Sequence, residues 1–131
     1  MKVYLSVPMI ANRALPRAEL MAKAIRDSGH EVSSPWVLGL IERSNPSSVD
    51  VFARDKKGAE ECDALVADVT EPSIGVGMEI MAAHEAGRRI ILVMKKGKVI
   101  SRMLSHMDGK ETLEYGEDED VYAGLMRLLR P

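Results

Sequence analysis

The sequence predicts an α/β protein, a single doubly wound sandwich around a five-stranded, mainly parallel sheet. Three observations carry that expectation. Strand-like and helix-like segments alternate along the whole 131 residues, the pattern of parallel strands joined by right-handed helical crossovers. Ile90 to Met94 is an unbroken apolar run, as in a strand covered by helices on both faces. Between Asp63 and Glu79 an apolar strand runs through a turn into Ser73, Gly75 and Gly77 at a helix start, a junction where open α/β sheets bind ligands.

The elements follow in order. Val3 to Val7 alternates and is rich in β-formers, which makes it the first strand. Ala18 to Asp27 places Leu20, Met21, Ala24 and Ile25 at helical spacing, with Gly29 just beyond as the C-cap. Glu31 to Ser34 reads as a short second strand ended by Pro35, and 36–46 as a loop. Ser47 or Ser48 can cap a second helix carrying Val49, Phe52, Ala53 and Ala59 on its apolar side. Ala64 to Val69 is the third strand, Ser73 to Ala86 the third helix and Arg89 to Met94 the fourth strand. Val99 to His106 reads as a short helix, Thr112 to Tyr115 as a fifth strand and Asp118 to Arg130 as a final amphipathic helix. No repeat or composition break divides the chain, so 1–131 is read as one domain of flavodoxin-like or Rossmann-like type.

Composition narrows the function. The apolar share is 46 % and no run approaches the ~18 apolar residues of a membrane span. Met1 to Val7 is too short and too soon charged for a signal peptide. A single cysteine, Cys62, allows no internal disulfide and no cysteine-based zinc site, and fits a reducing cytoplasm. The net charge is −2 with both signs interspersed, which does not favour a nucleic-acid polymer as partner. The three histidines lack metal-ligand spacing, so no metal or organic cofactor is expected.

The loops after the first and third strands, Ser6 to Arg13 and Thr70 to Gly77, should flank one crevice. A helix beginning at Ser73 offers free N–H groups and a positive dipole end to a phosphate. Glu79 sits one turn further in, where it serves either as an ordinary first-turn acid or as the acid that does chemistry. Gly75 and Gly77 permit either close helix packing or approach of backbone to a ligand. Asp55 reads as part of a solvated charged face or as a second acid, and Asp68 as the cap of the following turn. The dinucleotide fingerprint fails, because Ile80 stands where its third glycine should be, and the P-loop lysine is missing. A phospho-acceptor receiver is excluded on similar grounds: Pro8, Met9 and Ile10 follow the first strand in place of the acidic pair that would hold Mg²⁺.

The run Ala-Asp-Val-Thr-Glu-Pro-Ser73-Ile-Gly75-Val-Gly77-Met-Glu79 resembles the signature of the nucleoside 2-deoxyribosyltransferase superfamily. It is closest to the form found in the 2'-deoxynucleoside 5'-monophosphate N-glycosidases. Tyr4, Asp55 and Val99-Ile100-Ser101 fall in the matching order around it. The resemblance implies that Glu79 attacks C1' of the deoxyribose and that water then releases deoxyribose 5-phosphate, the chemistry of a retaining glycosidase. It further implies that Tyr4 orients the nucleophile and that Asp55 assists proton transfer to the leaving base. Ser73 holds the 5'-phosphate in this reading, Gly75 and Gly77 let backbone approach, and Ser101 reaches across a homodimer interface. In the first strand the family reads roughly Tyr-X-X-Gly-Ser-Ile-Arg-Gly, whereas this chain runs Tyr4-Leu-Ser6-Val7-Pro8-Met9-Ile10-Ala11-Asn12-Arg13. The glycines and the arginine of that pattern are absent, which leaves Ser6 and Arg13 as the ligand-binding candidates of this loop. Trp36 either stacks on the base or belongs to the core. A base-exchanging transferase and a silent nucleotide-binding module are the competing functions.

Overall fold

The computed structural model describes residues 1–9, 15–38 and 50–130. Five parallel strands, β1 (Lys2–Ser6), β2 (Glu31–Val32), β3 (Ala64–Asp68), β4 (Arg89–Lys95) and β5 (Lys110–Tyr115), form one sheet in the order β2-β1-β3-β4-β5. That is the flavodoxin-like order, and its direction reverses between β1 and β3. The helices are α1 (Leu15–Asp27), α2 (Val51–Glu61), α3 (Ile74–Glu85), α4 (Arg102–His106) and α5 (Asp118–Leu128), with a 3₁₀ turn over Pro35–Leu38.

The two-residue period of the strands divides the interior into two cores. Val3, Leu5, Ile91 and Val93 point to one face, where they meet Met21 and Ile25 of α1 and Leu125 of α5. Tyr4, Leu65, Ala67 and Leu92 point to the other, against Ala59 of α2 and Ile80 of α3. β3 is buried along its whole length, as an apolar central strand must be. The same alternation puts Tyr4 and Ser6 on the α2/α3 side. α1 ends where Gly29 adopts φ +86°, and the His30 N–H returns to the Ile25 carbonyl at 3.1 Å, the left-handed closure that glycine makes at low cost.

Several boundaries differ from expectation. β2 stops at Val32 rather than Ser34, because the buried Ser34 hydroxyl itself accepts from the Leu5 N–H and donates to the Leu5 carbonyl, both at 2.8 Å. A side chain there replaces the next rung of the ladder. The start of the expected 36–46 loop is helical, and Val37 and Leu38 turn into the core. α2 is capped by Asp50, whose carboxylate accepts from the Ala53 N–H at 3.0 Å. Ser47, Ser48 and Val49 lie outside the described residues. Phe52 and Ala53 are exposed, contrary to the expected apolar side, and Ala59 is the buried residue of the helix. A crossover helix begins beyond the carboxyl ends of the strands, so its first turn overhangs the sheet. α4 begins at Arg102, after Ser101, and β5 begins at Lys110, pairing with β4 over six residues.

Candidate active site

Strand periodicity and helix phase converge on Glu79. β1 delivers Tyr4 and Ser6 from below, and the Ser6 hydroxyl donates to Glu79 Oε1 at 3.2 Å. Ser6 is fully buried, so its hydroxyl faces the carboxylate rather than open solvent. The buried Tyr4 hydroxyl lies beside the same carboxylate without completing a hydrogen bond of good geometry. Burial pushes Glu79 up from 4.5 to about 7, and the charge of Asp55 adds to the rise. Tyr4, Ser6 and Arg54 act in the opposite direction. Burial and the neighbouring Glu79 hold the Tyr4 phenol far above the usual tyrosine range. Glu79 thus exchanges its proton near neutrality, as acids do at reacting centres.

α2 supplies the second wall. Asp55 interacts electrostatically with both Glu79 and Tyr4, and Arg54 Nε donates to Asp55 Oδ1 at 2.7 Å. The Arg54 guanidinium lies 4.3 Å over the ring of Trp36, and Trp36 meets Tyr4 edge-on at 6.1 Å between centroids. Trp36 packs against both cores, with one ring face taken by Arg54. Gly58 backs the Tyr4 ring so closely that a Cβ there would lie 2.6 Å from it. A glycine in mid-helix costs about 1 kcal/mol relative to alanine, and here it admits the tyrosine.

The end of β3 holds the other side of the crevice. Asp68 accepts from the Thr70 N–H at 3.1 Å, the expected turn cap. It also receives Arg17 of α1, whose Nε and Nη2 both lie 2.8 Å from Oδ2. The Thr70 hydroxyl bonds Tyr115 at 2.7 Å, and Arg17 stands over the Tyr115 ring. This network ties α1, β3 and β5 to the turn leading to Ser73. Ser73 caps α3, accepting from the Val76 N–H at 3.3 Å, while the N–H groups of Ile74 and Gly75 have no intrahelical acceptor. Gly75 and Gly77 are exposed, and among the described residues a Cβ at either would meet nothing within 4 Å. Close packing against the described residues does not account for them.

An open groove of about 1060 Å³ lies on another face of α3, between Ile74, Met78 and Met81 and the segment carrying Val99, Ser101 and Met103. Glu79 does not line it. Ser101 caps α4 by accepting from the Met103 N–H at 3.2 Å and is exposed. His84 sits at the groove's edge, paired with Asp108 at 2.8 Å. Arg13 lies outside the described residues. Among the described residues no group of three or more His, Cys, Asp or Glu side chains converges as a metal would require. None of their helices is long and apolar enough to cross a membrane.

The structure therefore brings Tyr4, Ser6, Asp55 and Glu79 together, sets Ser73, Gly75 and Gly77 at the adjoining helix start, and leaves Ser101 in the outer groove. Sequence reasoning passed over Arg54 and Gly58. The only signal for Gly58 was its cost inside a helical pattern.

No protein-family model matches this chain. It is 35% identical over 104 residues to a Thermofilum pendens protein that carries the inferred designation 2'-deoxynucleoside 5'-phosphate N-hydrolase 1, covering 77% of this chain and 73% of that one. Among solved structures it resembles a CMP N-glycosidase from Clostridium botulinum, with TM-score 0.71 and 21% identity over 95% of this chain and 98% of that one. It likewise resembles a 2-deoxyribosyltransferase from Bacillus psychrosaccharolyticus, with TM-score 0.71 and 23% identity over 99% and 96%. Both solved structures share the fold of this chain.

Proposed function

This chain belongs to the family of 2'-deoxynucleoside 5'-phosphate N-hydrolases, and from that premise we propose that it cleaves 2'-deoxynucleoside 5'-monophosphates through a covalent intermediate on Glu79. It is an N-glycosidase, a hydrolase of N-glycosyl bonds in nucleotides. The observation that carries the intermediate is the setting of Glu79: a half-buried carboxylate titrating near 7, bonded by Ser6 and set against Tyr4, one turn inside a helix that opens at Ser73.

The ionised carboxylate of Glu79 attacks C1' as the C1'–N bond breaks, and the base leaves with that electron pair. Asp55 relays a proton to the departing base. Water then attacks C1', the ester to Glu79 breaks, and the proton released from water returns to Asp55. The products are free base and 2-deoxyribose 5-phosphate, with retention expected from two displacements. Ser6 and Tyr4 hold the nucleophile in aim. The open start of α3, with Ser73 and two glycines that present backbone without side chains, suits the 5'-phosphate.

A homodimer completes this reading. Ser101, Val99 and Met103 of the α4 segment and Ile74 and Met78 of α3 are exposed around one groove, Val99 at 96% and Ile74 at 87%. Exposed apolar side chains gathered around one groove fit a protein partner. Within one chain Ser101 faces a side of α3 that Glu79 does not share, as a serine serving the other subunit's phosphate would. The lone buried Cys62 suits a reducing compartment such as the cytoplasm.

The test is chromatography of products from deoxynucleoside 5'-monophosphates and from the unphosphorylated nucleosides, with and without a second free base. Mass spectrometry of acid-quenched enzyme runs in parallel. Free base and deoxyribose 5-phosphate from the monophosphates, with a sugar-phosphate adduct on the peptide containing Glu79, are expected. Base exchange on unphosphorylated nucleosides would make it a transferase, and turnover by Glu79→Gln would remove the nucleophile assignment.

A further inference from the structure

The α2 face beside the site carries an arrangement that nucleophile, second acid and phosphate site leave unexplained. Arg54 and Asp55 are sequence neighbours, and neighbours on a helix do not ordinarily face each other. Here the Arg54 side chain folds back to bond Asp55 at 2.7 Å, and its guanidinium carbon lies over the Trp36 ring, 4.3 Å from the centroid. Trp36 in turn abuts Tyr4. The two charged side chains are 19% and 24% exposed, so this pair is more sheltered than a surface ion pair and less screened by salt.

Three elements face Glu79 with polar or charged groups among the described residues: β1 with Tyr4 and Ser6, α2 with Asp55 and Arg54, and α3 with Glu79 itself. Two of these groups are carboxylates, whose charges oppose each other. Arg54 is the cation among them. Trp36 lets it remain there, because a planar, weakly hydrated guanidinium stacks on an aromatic face as an ammonium does not.

We propose that Arg54 is a positioning residue for the acid pair: braced on Trp36, it holds Asp55 in place and sets a positive charge beside Glu79. This rests on Glu79 being the nucleophile. It follows that Arg54 acts through the two carboxylates rather than by touching the reacting carbon. Its removal should damage catalysis chiefly on the acid side of the pH profile. Glu79 already feels this cation, which opposes the effects of burial and of Asp55. Without it, only Tyr4 and Ser6 are left to offset what burial and Asp55 do to Glu79.

The experiment compares the wild type with Arg54→Met, which keeps an apolar stem over Trp36 without charge, Arg54→Gln as a second neutral variant, and Arg54→Lys. The Glu79 carboxyl is titrated by ¹³C NMR, its resonance assigned by its loss in Glu79→Gln, and kcat/KM is followed from pH 5 to 9. The neutral variants should raise the Glu79 midpoint by roughly 0.5–1 pH unit. Activity should fall ~3–10-fold at pH 6 and recover most of that loss by pH 9. Arg54→Lys should titrate near the wild type while losing part of kcat, because lysine supplies the charge without the planar group that lies over Trp36. Folded neutral variants that titrate Glu79 as the wild type does would overturn the proposal. Full turnover by Glu79→Gln would instead overturn the nucleophile reading, and the NMR midpoint would still report on Arg54.

Discussion

Glu79→Gln separates the folding role of this side chain from its chemical one. Burial raises its carboxyl from 4.5 to about 7. The proton is therefore held more tightly in the folded chain than in the unfolded one. Below pH 4.5 both states are largely protonated, and the half-buried acid costs little. As pH climbs from 4.5 through 7 the folded protein must ionise a carboxylate away from water, and stability falls. The difference between the two values corresponds to about 3 kcal/mol at pH 8, an order-of-magnitude figure. Glutamine has the same shape, keeps an oxygen to accept from Ser6, and never ionises. The variant should accordingly be as stable as the wild type near pH 4.5 and more stable at pH 8 by roughly 2–3 kcal/mol, or about 6–12 °C in a domain of this size. It should turn over no substrate at either pH. Thermal unfolding of both proteins at pH 4.5, 6 and 8, beside product assays, makes the measurement. An equal difference at all three pH values would refute the reasoning, because it would mean that Glu79 titrates alike in both states.

Other perturbations test the frame around it. Gly58→Ala puts a methyl 2.6 Å from the Tyr4 ring; overpacking should cost about 1–3 kcal/mol in denaturant unfolding and lower kcat by displacing Tyr4 from Glu79. Arg17→Met strips the fully buried Asp68 of its partner and should destabilise the fold by about 3–5 kcal/mol, measurable in urea. Ser73→Ala removes the α3 cap; it should cost about 1 kcal/mol of stability and raise KM for monophosphates more than for nucleosides. The wild-type acid limb of kcat/KM should have its midpoint near pH 7, set by Glu79.

The alternation of elements and the junction at Ser73 were legible because they depend on local facts: side-chain period, capping hydroxyls, and glycine where a helix opens. The continuous run of β4 announced a strand covered on both faces, and β4 lies between β3 and β5 with its centre buried. Asp68 as a turn cap was legible for the same reason, its partner Thr70 being two residues away. What involved distant partners was less visible. Ser34 ends β2 by bonding Leu5, 29 positions earlier. Phe52 fits the helical period yet stands exposed, since period reports a face and not how far the sheet extends beneath it.

Sequence by itself determined the fold class, the order of its elements and the position of Glu79 one turn inside the helix that Ser73 begins. Tertiary structure decided what surrounds that carboxylate. Ser6, 73 positions away, donates to it; Tyr4 reaches it because Gly58 yields space; Arg54 faces Asp55 because Trp36 offers a surface to stack on. A hydrogen bond or a pKa depends on distance and burial in space. Those quantities come into being only when the crossovers bring β1, α2 and α3 to the same end of the sheet.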